Sequence, residues 1–211
     1  MSVVIPILSL LITTSGCGLI NSGDNSNSTA ENKTVANEEY SEIVIADTST
    51  QAILAASKQS PISGAILTIN PGSLNVGESV SIREGMPLNL DVVTAELEID
   101  QQLTSAGASV FVGGDSENSK IASPMTLSLP LGQTLAFQDG ITYAVMYKVF
   151  EEGGYKTGVI SSADIKITGN TLEISISFFG VYQAVRTTAA ITDSKSVTSN
   201  QNPFQRKNLI R

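Results

Sequence analysis

Residues 141–160 read ITYAVMYKVFEEGGYKTGVI, and their pattern decides the fold class. Ile141-Thr-Tyr-Ala-Val-Met-Tyr-Lys-Val-Phe150 is rich in β-branched and aromatic residues and is the longest strand the sequence predicts. Glu151-Glu-Gly-Gly154 is turn chemistry, and Tyr155 to Ile160 supplies a return strand. The unit is an antiparallel hairpin. Similar short, alternating runs lie on both sides: Ala65–Ile69, Ser79–Ile82, Leu88–Val93, Ala108–Val112, Met125–Leu129, Ala163–Ile167 and Leu172–Phe178. They are punctuated by Asn70-Pro-Gly-Ser73, Arg83-Glu-Gly85, Gly113-Gly-Asp-Ser116, Pro130 and Thr168-Gly-Asn170. No helix-period segment of useful length interrupts them. The expectation is an all-β chain with a single antiparallel β-sandwich over residues 61–187.

Composition narrows the chemistry. The 211 residues carry a formal charge of −8, so no nucleic-acid partner is expected, because phosphate binding needs clustered Lys and Arg. There is no His and only one Cys. Ser-His-Asp and Cys-His catalysis, His- or Cys-rich zinc sites and an internal disulfide are therefore excluded. What is left for catalysis is carboxylate, Lys, Tyr or Ser/Thr chemistry, and the expectation is a non-enzymatic protein without cofactor or metal. Outside the sandwich, residues 18–50 are rich in Asn, Ser, Thr, Glu and Asp, and residues 17–60 read as a flexible tether. Within it, Tyr40–Ile45 could add an edge strand and Gln51–Ser57 a turn or two of helix. Residues 188–211 read as a disordered, mildly basic tail with Arg206, Lys207 and Arg211.

The lone cysteine sits at the other end. Val3-Val-Ile-Pro-Ile-Leu-Ser-Leu-Leu-Ile12 has the length of a signal-peptide apolar region and is short for a membrane span. Small and hydroxylated residues follow, ending in Thr14-Ser15-Gly16-Cys17. This stretch resembles the lipobox of bacterial lipoproteins, with Thr14 where that family usually has Leu. The resemblance implies a signal peptide over 1–16, cleavage between Gly16 and Cys17, and lipidation of the Cys17 thiol, with a fatty acyl chain such as palmitate on the new amine. Two or three chains are what stable anchoring requires. Gly18 after the cysteine implies an outer membrane, if the cell has one. An uncleaved apolar helix from Val3 to Ile20, an ordinary secretory signal and a buried structural strand are the alternatives.

A second resemblance concerns the strands. Pro71-Gly-Ser-Leu74, Ser81-Ile-Arg-Glu-Gly85, Ser123-Pro-Met-Thr-Leu-Ser-Leu-Pro130 and Ile176-Ser-Phe-Phe-Gly-Val-Tyr-Gln-Ala-Val185 are similar to the ZU-type domain of zona-occludens proteins, ankyrins and netrin receptors. That family's domain is a β-sandwich used as scaffold and docking surface. Some relatives cut themselves at a His-Phe-Ser triplet near the last strand. Phe178-Phe179-Gly180 stands there in this chain, so self-cleavage is not expected.

The remaining candidates are carboxylates. Glu96 and Glu98, at strand spacing, would share one face and could do acid–base work, or hold Ca²⁺ with Asp91 and Asp100. Asp115, Glu117 and Asn118 could offer oxygen ligands. Glu151 and Glu152 fit a wet hairpin tip, Asn170 with Gly169 a turn, and Phe178, Phe179 and Tyr182 the core or a corner. The functional expectation is a lipid-anchored envelope protein whose sandwich is a binding or scaffolding module for a protein or polysaccharide. A carboxylate-based envelope hydrolase and a purely structural envelope component are the competing readings.

Overall fold

The computed structural model describes residues 31–114, 120–132, 141–151 and 154–199. Among them thirteen strands build two antiparallel sheets, with one α-helix and one turn of 3-10 helix. The strands are β1 (Lys33–Ala36), β2 (Tyr40–Val44), β3 (Ala52–Ala55), β4 (Ile66–Ile69), β5 (Ser79–Glu84), β6 (Thr104–Gly114), β7 (Lys120–Pro130), β8 (Thr142–Glu151), β9 (Gly154–Ile160), β10 (Lys166–Thr168), β11 (Thr171–Phe178), β12 (Gly180–Thr187) and β13 (Lys195–Ser199). The helix α1 spans Leu90–Glu96, and the 3-10 turn Ser162–Asp164. The larger sheet runs β1-β2-β5-β6-β12-β8-β9-β13 and the smaller β10-β11-β7-β4-β3. The fold is an all-β sandwich, as expected.

Alternation explains which face each strand buries. Val80 and Ile82 of β5, Ala106, Val110 and Val112 of β6, and Tyr182 and Ala184 of β12 point from the larger sheet into the core. Leu67, Met125, Leu127, Leu129, Leu172, Ile174 and Ile176 meet them from the smaller sheet, and each of these is almost fully buried. The hairpin of 141–160 forms as predicted, pairing Glu151 with Gly154 and Val145 with Ile160. Thr168 and Thr171 pair across the predicted turn, where Gly169 has φ +56°.

The folded unit is larger than 61–187. Within the expected tether, β1, β2 and β3 join the two sheets, and Ile43, Ile45, Ala52 and Leu54 enter the core. Few apolar residues suffice here because they alternate, so each reaches the buried face. Asn32 fastens the start of this segment: its Oδ1 accepts the N–H groups of Ala46 (2.8 Å) and Asp47 (3.2 Å). The Tyr40–Ile45 strand is present, as β2. The helical turn expected at 51–57 is instead β3, whose Ala52 and Leu54 are buried while Ile53 and Ala55 face water. The expected disordered tail contributes β13, paired with β9. Ser194 holds its start: Ser194 Oγ accepts the Ser161 N–H (2.9 Å) and donates to Asp164 (2.8 Å). Residues 17–30 and 200–211 lie outside the described residues.

One strand expectation is replaced by a helix. Leu88–Val93 is not extended; α1 begins after Asn89, whose Oδ1 accepts the Val92 N–H (3.2 Å). Val93 and Leu97, four residues apart, pack with Leu103, Met146, Val159 and Val185 on the outer face of the larger sheet. A small third layer results. No helix among the described residues is long and apolar enough to cross a membrane.

Candidate functional site

The outer face of the larger sheet is only partly covered by α1, and beside the helix it opens a groove of about 610 Å³. Its floor is one row of side chains across five neighbouring strands. Arg83 pairs with Phe111, Phe111 with Val181, Val181 with Lys148, and Lys148 with Thr157. All five line the groove. Adjacent strands lie about 4.8 Å apart, so the row is roughly 19 Å long and the backbones of Arg83 and Lys148 stand about 14 Å apart.

Both cations on the floor rest on aromatic rings. The Arg83 guanidinium sits 4.6 Å from the centre of the Phe111 ring, and the Lys148 ammonium 4.9 Å from that of Tyr155. Tyr155 in turn meets Phe150 edge-to-face, at 5.7 Å and 76°. Such contacts contribute about 0.5–1 kcal/mol at exposed sites, enough to favour one rotamer. Among the described residues, the salt bridges are Lys156–Glu151 and Lys166–Glu173, and neither groove cation has a carboxylate within 4 Å. The Phe111 ring leans over Gly113, two residues on. A Cβ at Gly113 would stand 2.5 Å from the ring.

The wall is the segment from Glu84 to Glu96. Gly85 donates its N–H to Ser109 O (2.9 Å) and accepts the Ser109 hydroxyl (2.5 Å). Buried Gln183 accepts the Leu88 N–H at Oε1 (2.9 Å) and donates from Nε2 to Ser105 Oγ (3.0 Å). These bonds lay Met86, Pro87 and Leu88 along the sheet, and α1 adds Val92 and Val93. Met86 is 83% exposed and Val92 48%. Glu84 and Glu96 stand in the same wall, both exposed. Ser199, at the end of β13, lines the opposite side. The arrangement is a trough with an apolar wall, two fixed cations on its floor and two carboxylates on its rim.

Of the residues singled out from sequence, Glu96 alone lines this groove. Glu98 does not share a strand face with it: Glu96 ends α1, and Glu98 turns the chain at φ +51°. Asp91 sits in the first turn of α1, and Glu98 and Asp100 line a separate, smaller depression. Among the described residues no group of three or more His, Cys, Asp or Glu side chains is placed to hold a metal ion. Asp115, Glu117, Asn118 and Glu152 lie outside the described residues, as do Gly16 and Cys17.

Glu151 is half-buried and pairs with Lys156 at 3.3 Å. Phe179 and Tyr182 are core residues and Phe178 packs against the core. Tyr182 donates its hydroxyl to Phe178 O (2.6 Å), and burial pushes its pKa far above the ordinary tyrosine value. Asn170 does more than turn the chain. Its Nδ2 donates to Leu131 O and its own carbonyl accepts the Leu131 N–H, both at 2.9 Å. This clamps the end of β7.

The residues that make the groove (Arg83, Met86, Phe111, Lys148, Tyr155) carry one sequence signal. Each strand member occupies the solvent-facing phase of its strand, where aromatics are uncommon. That phase is legible, but the strand order that unites them is not. No known protein family matches the chain, nor does any curated protein match it in sequence.

Proposed function

We propose that this protein is a lipid-anchored binding module of a bacterial cell envelope. Acylated Cys17 would hold it to the outer membrane, and the sandwich would present the groove to a partner. The observation that carries the reading is the cross-strand row Arg83–Phe111–Val181–Lys148–Thr157 under an apolar wall. Exposed apolar and aromatic groups beside fixed cations are what recognition surfaces use. The ZU-type resemblance, with its docking role, points the same way. A hydrolase would use the two groove carboxylates, Glu84 and Glu96, as acid and base. Both are exposed on the rim, whereas general acids are characteristically held in apolar surroundings.

Two measurements test this. Cells fed a labelled fatty acid should label the wild-type protein and not Cys17→Ser; an unlabelled wild type overturns the anchor. A photo-crosslinking residue at position 86 should capture an envelope component. The same residue at position 53, exposed on the other sheet, should not. Equal capture from both positions overturns the groove as the binding surface.

A further inference from the structure

Resting on the groove as a binding surface, we infer that its occupant is an extended acidic segment of a partner protein. The side chains in the trough ask for two kinds of group. Arg83 and Lys148 are cations held on ring faces without a carboxylate partner among the described residues. Holding two long, mobile side chains in one rotamer costs entropy that ring contacts of about 0.5–1 kcal/mol each only partly offset. An incoming anion recovers it by charge-assisted hydrogen bonds. The chain as a whole is at −8, whereas the groove lining, with Arg83 and Lys148 against Glu84 and Glu96, is formally neutral, so an acidic ligand meets less repulsion there.

Geometry then selects the carrier. The backbones of Arg83 and Lys148 lie three strand spacings apart, about 14 Å, and an extended polypeptide rises about 3.4 Å per residue. Carboxylates four residues apart therefore span the pair, and even spacing puts both on one face. The residues between them meet Val181 on the floor, with Met86, Leu88 and Val92 alongside. An apolar wall with an exposed methionine suits peptide side chains. Glu84 and Glu96 face the groove from the wall. They repel an acid there and so press its carboxylates toward the floor, at a cost in affinity.

The test is a titration of the full-length protein with a short alternating Val-Asp peptide, read by fluorescence anisotropy. The corresponding Val-Asn and Val-Lys peptides and polygalacturonate serve as comparators. The Val-Asp peptide should bind at least about tenfold more tightly than the others, and Arg83→Gln or Lys148→Gln should each weaken it by about tenfold. Arg83→Lys, which keeps the charge, should retain more affinity than Arg83→Gln. Removing the wall charge with Glu96→Gln should tighten binding by about two- to fivefold. Thermal unfolding of each variant verifies that it is folded.

Equal affinity for the neutral or basic peptide overturns the inference. Preference for polygalacturonate overturns the peptide and leaves an anion-binding groove. No binding of any probe, with capture from position 86 intact, overturns this inference and spares the binding role. Loss of both overturns both.

Discussion

Buried on the outer side of β12, Gln183 commits both ends of its amide to the segment that walls the groove. Gln183→Leu leaves the Leu88 N–H and the Ser105 hydroxyl without that partner and should cost about 1–3 kcal/mol, measurable as a lowered denaturation midpoint. Gly113 works by absence. In Gly113→Ala the new methyl meets the Phe111 ring, so the ring must tilt and carry Arg83 with it. Such a variant should unfold at nearly the wild-type temperature yet bind a groove ligand more weakly; unchanged affinity would show that the ring's posture is irrelevant. Outside the groove, Asp47 accepts hydrogen bonds from the Ser49 hydroxyl (2.7 Å) and N–H (2.8 Å), and from Thr50. These hold its carboxyl below the ordinary aspartate value, the Ser49 hydroxyl contributing most. A lowered folded-state pKa stabilises the fold above the unfolded value and is lost as pH falls through the folded one. The Tm difference between wild type and Asp47→Asn should therefore be constant near neutrality and shrink below about pH 4.

Among the elements, α1 shows how a short segment can carry two readings. Leu88, Leu90 and Val92 alternate like a strand, while Val93 and Leu97 have helical spacing. Asn89 decides between them, because its side chain caps a helix at the cost of continuing a strand. Asn89→Ala should lose about 1 kcal/mol of stability and loosen the groove wall, detectable as faster hydrogen exchange over residues 90–97. The long hairpin of 141–160 was legible because its alternation runs through both strands and its turn is chemically explicit. Strands β1, β3 and β13 were not. Each is only four or five residues long, so it shows too little alternation to stand out from polar surroundings. Its place is set by pairing with a strand elsewhere in the chain, which no local pattern encodes.

For the molecule as a whole, the sandwich needs strands from both sides of the central run. A chain beginning at residue 61 lacks β1, β2 and β3 and with them Ile43, Ile45, Ala52 and Leu54. It should fail to give a cooperative transition by circular dichroism, whereas one beginning at residue 31 should unfold cooperatively. The layered architecture could be read from alternation, and the chemistry that the chain lacks from its composition. The groove could not, because its floor is assembled from residues 83, 111, 181, 148 and 157 on β5, β6, β12, β8 and β9, whose adjacency is a property of topology alone. That floor is the centre of the functional account, and Val181 lies in its middle, half-buried and facing outward. The most direct measurement is the crosslinking yield from position 86 in cells carrying Val181→Arg, set against the wild type. A groove that binds its partner predicts a fall of about tenfold or more, at an unfolding temperature little changed by a substitution on the outer face. An undiminished yield from a folded Val181→Arg protein would contradict it.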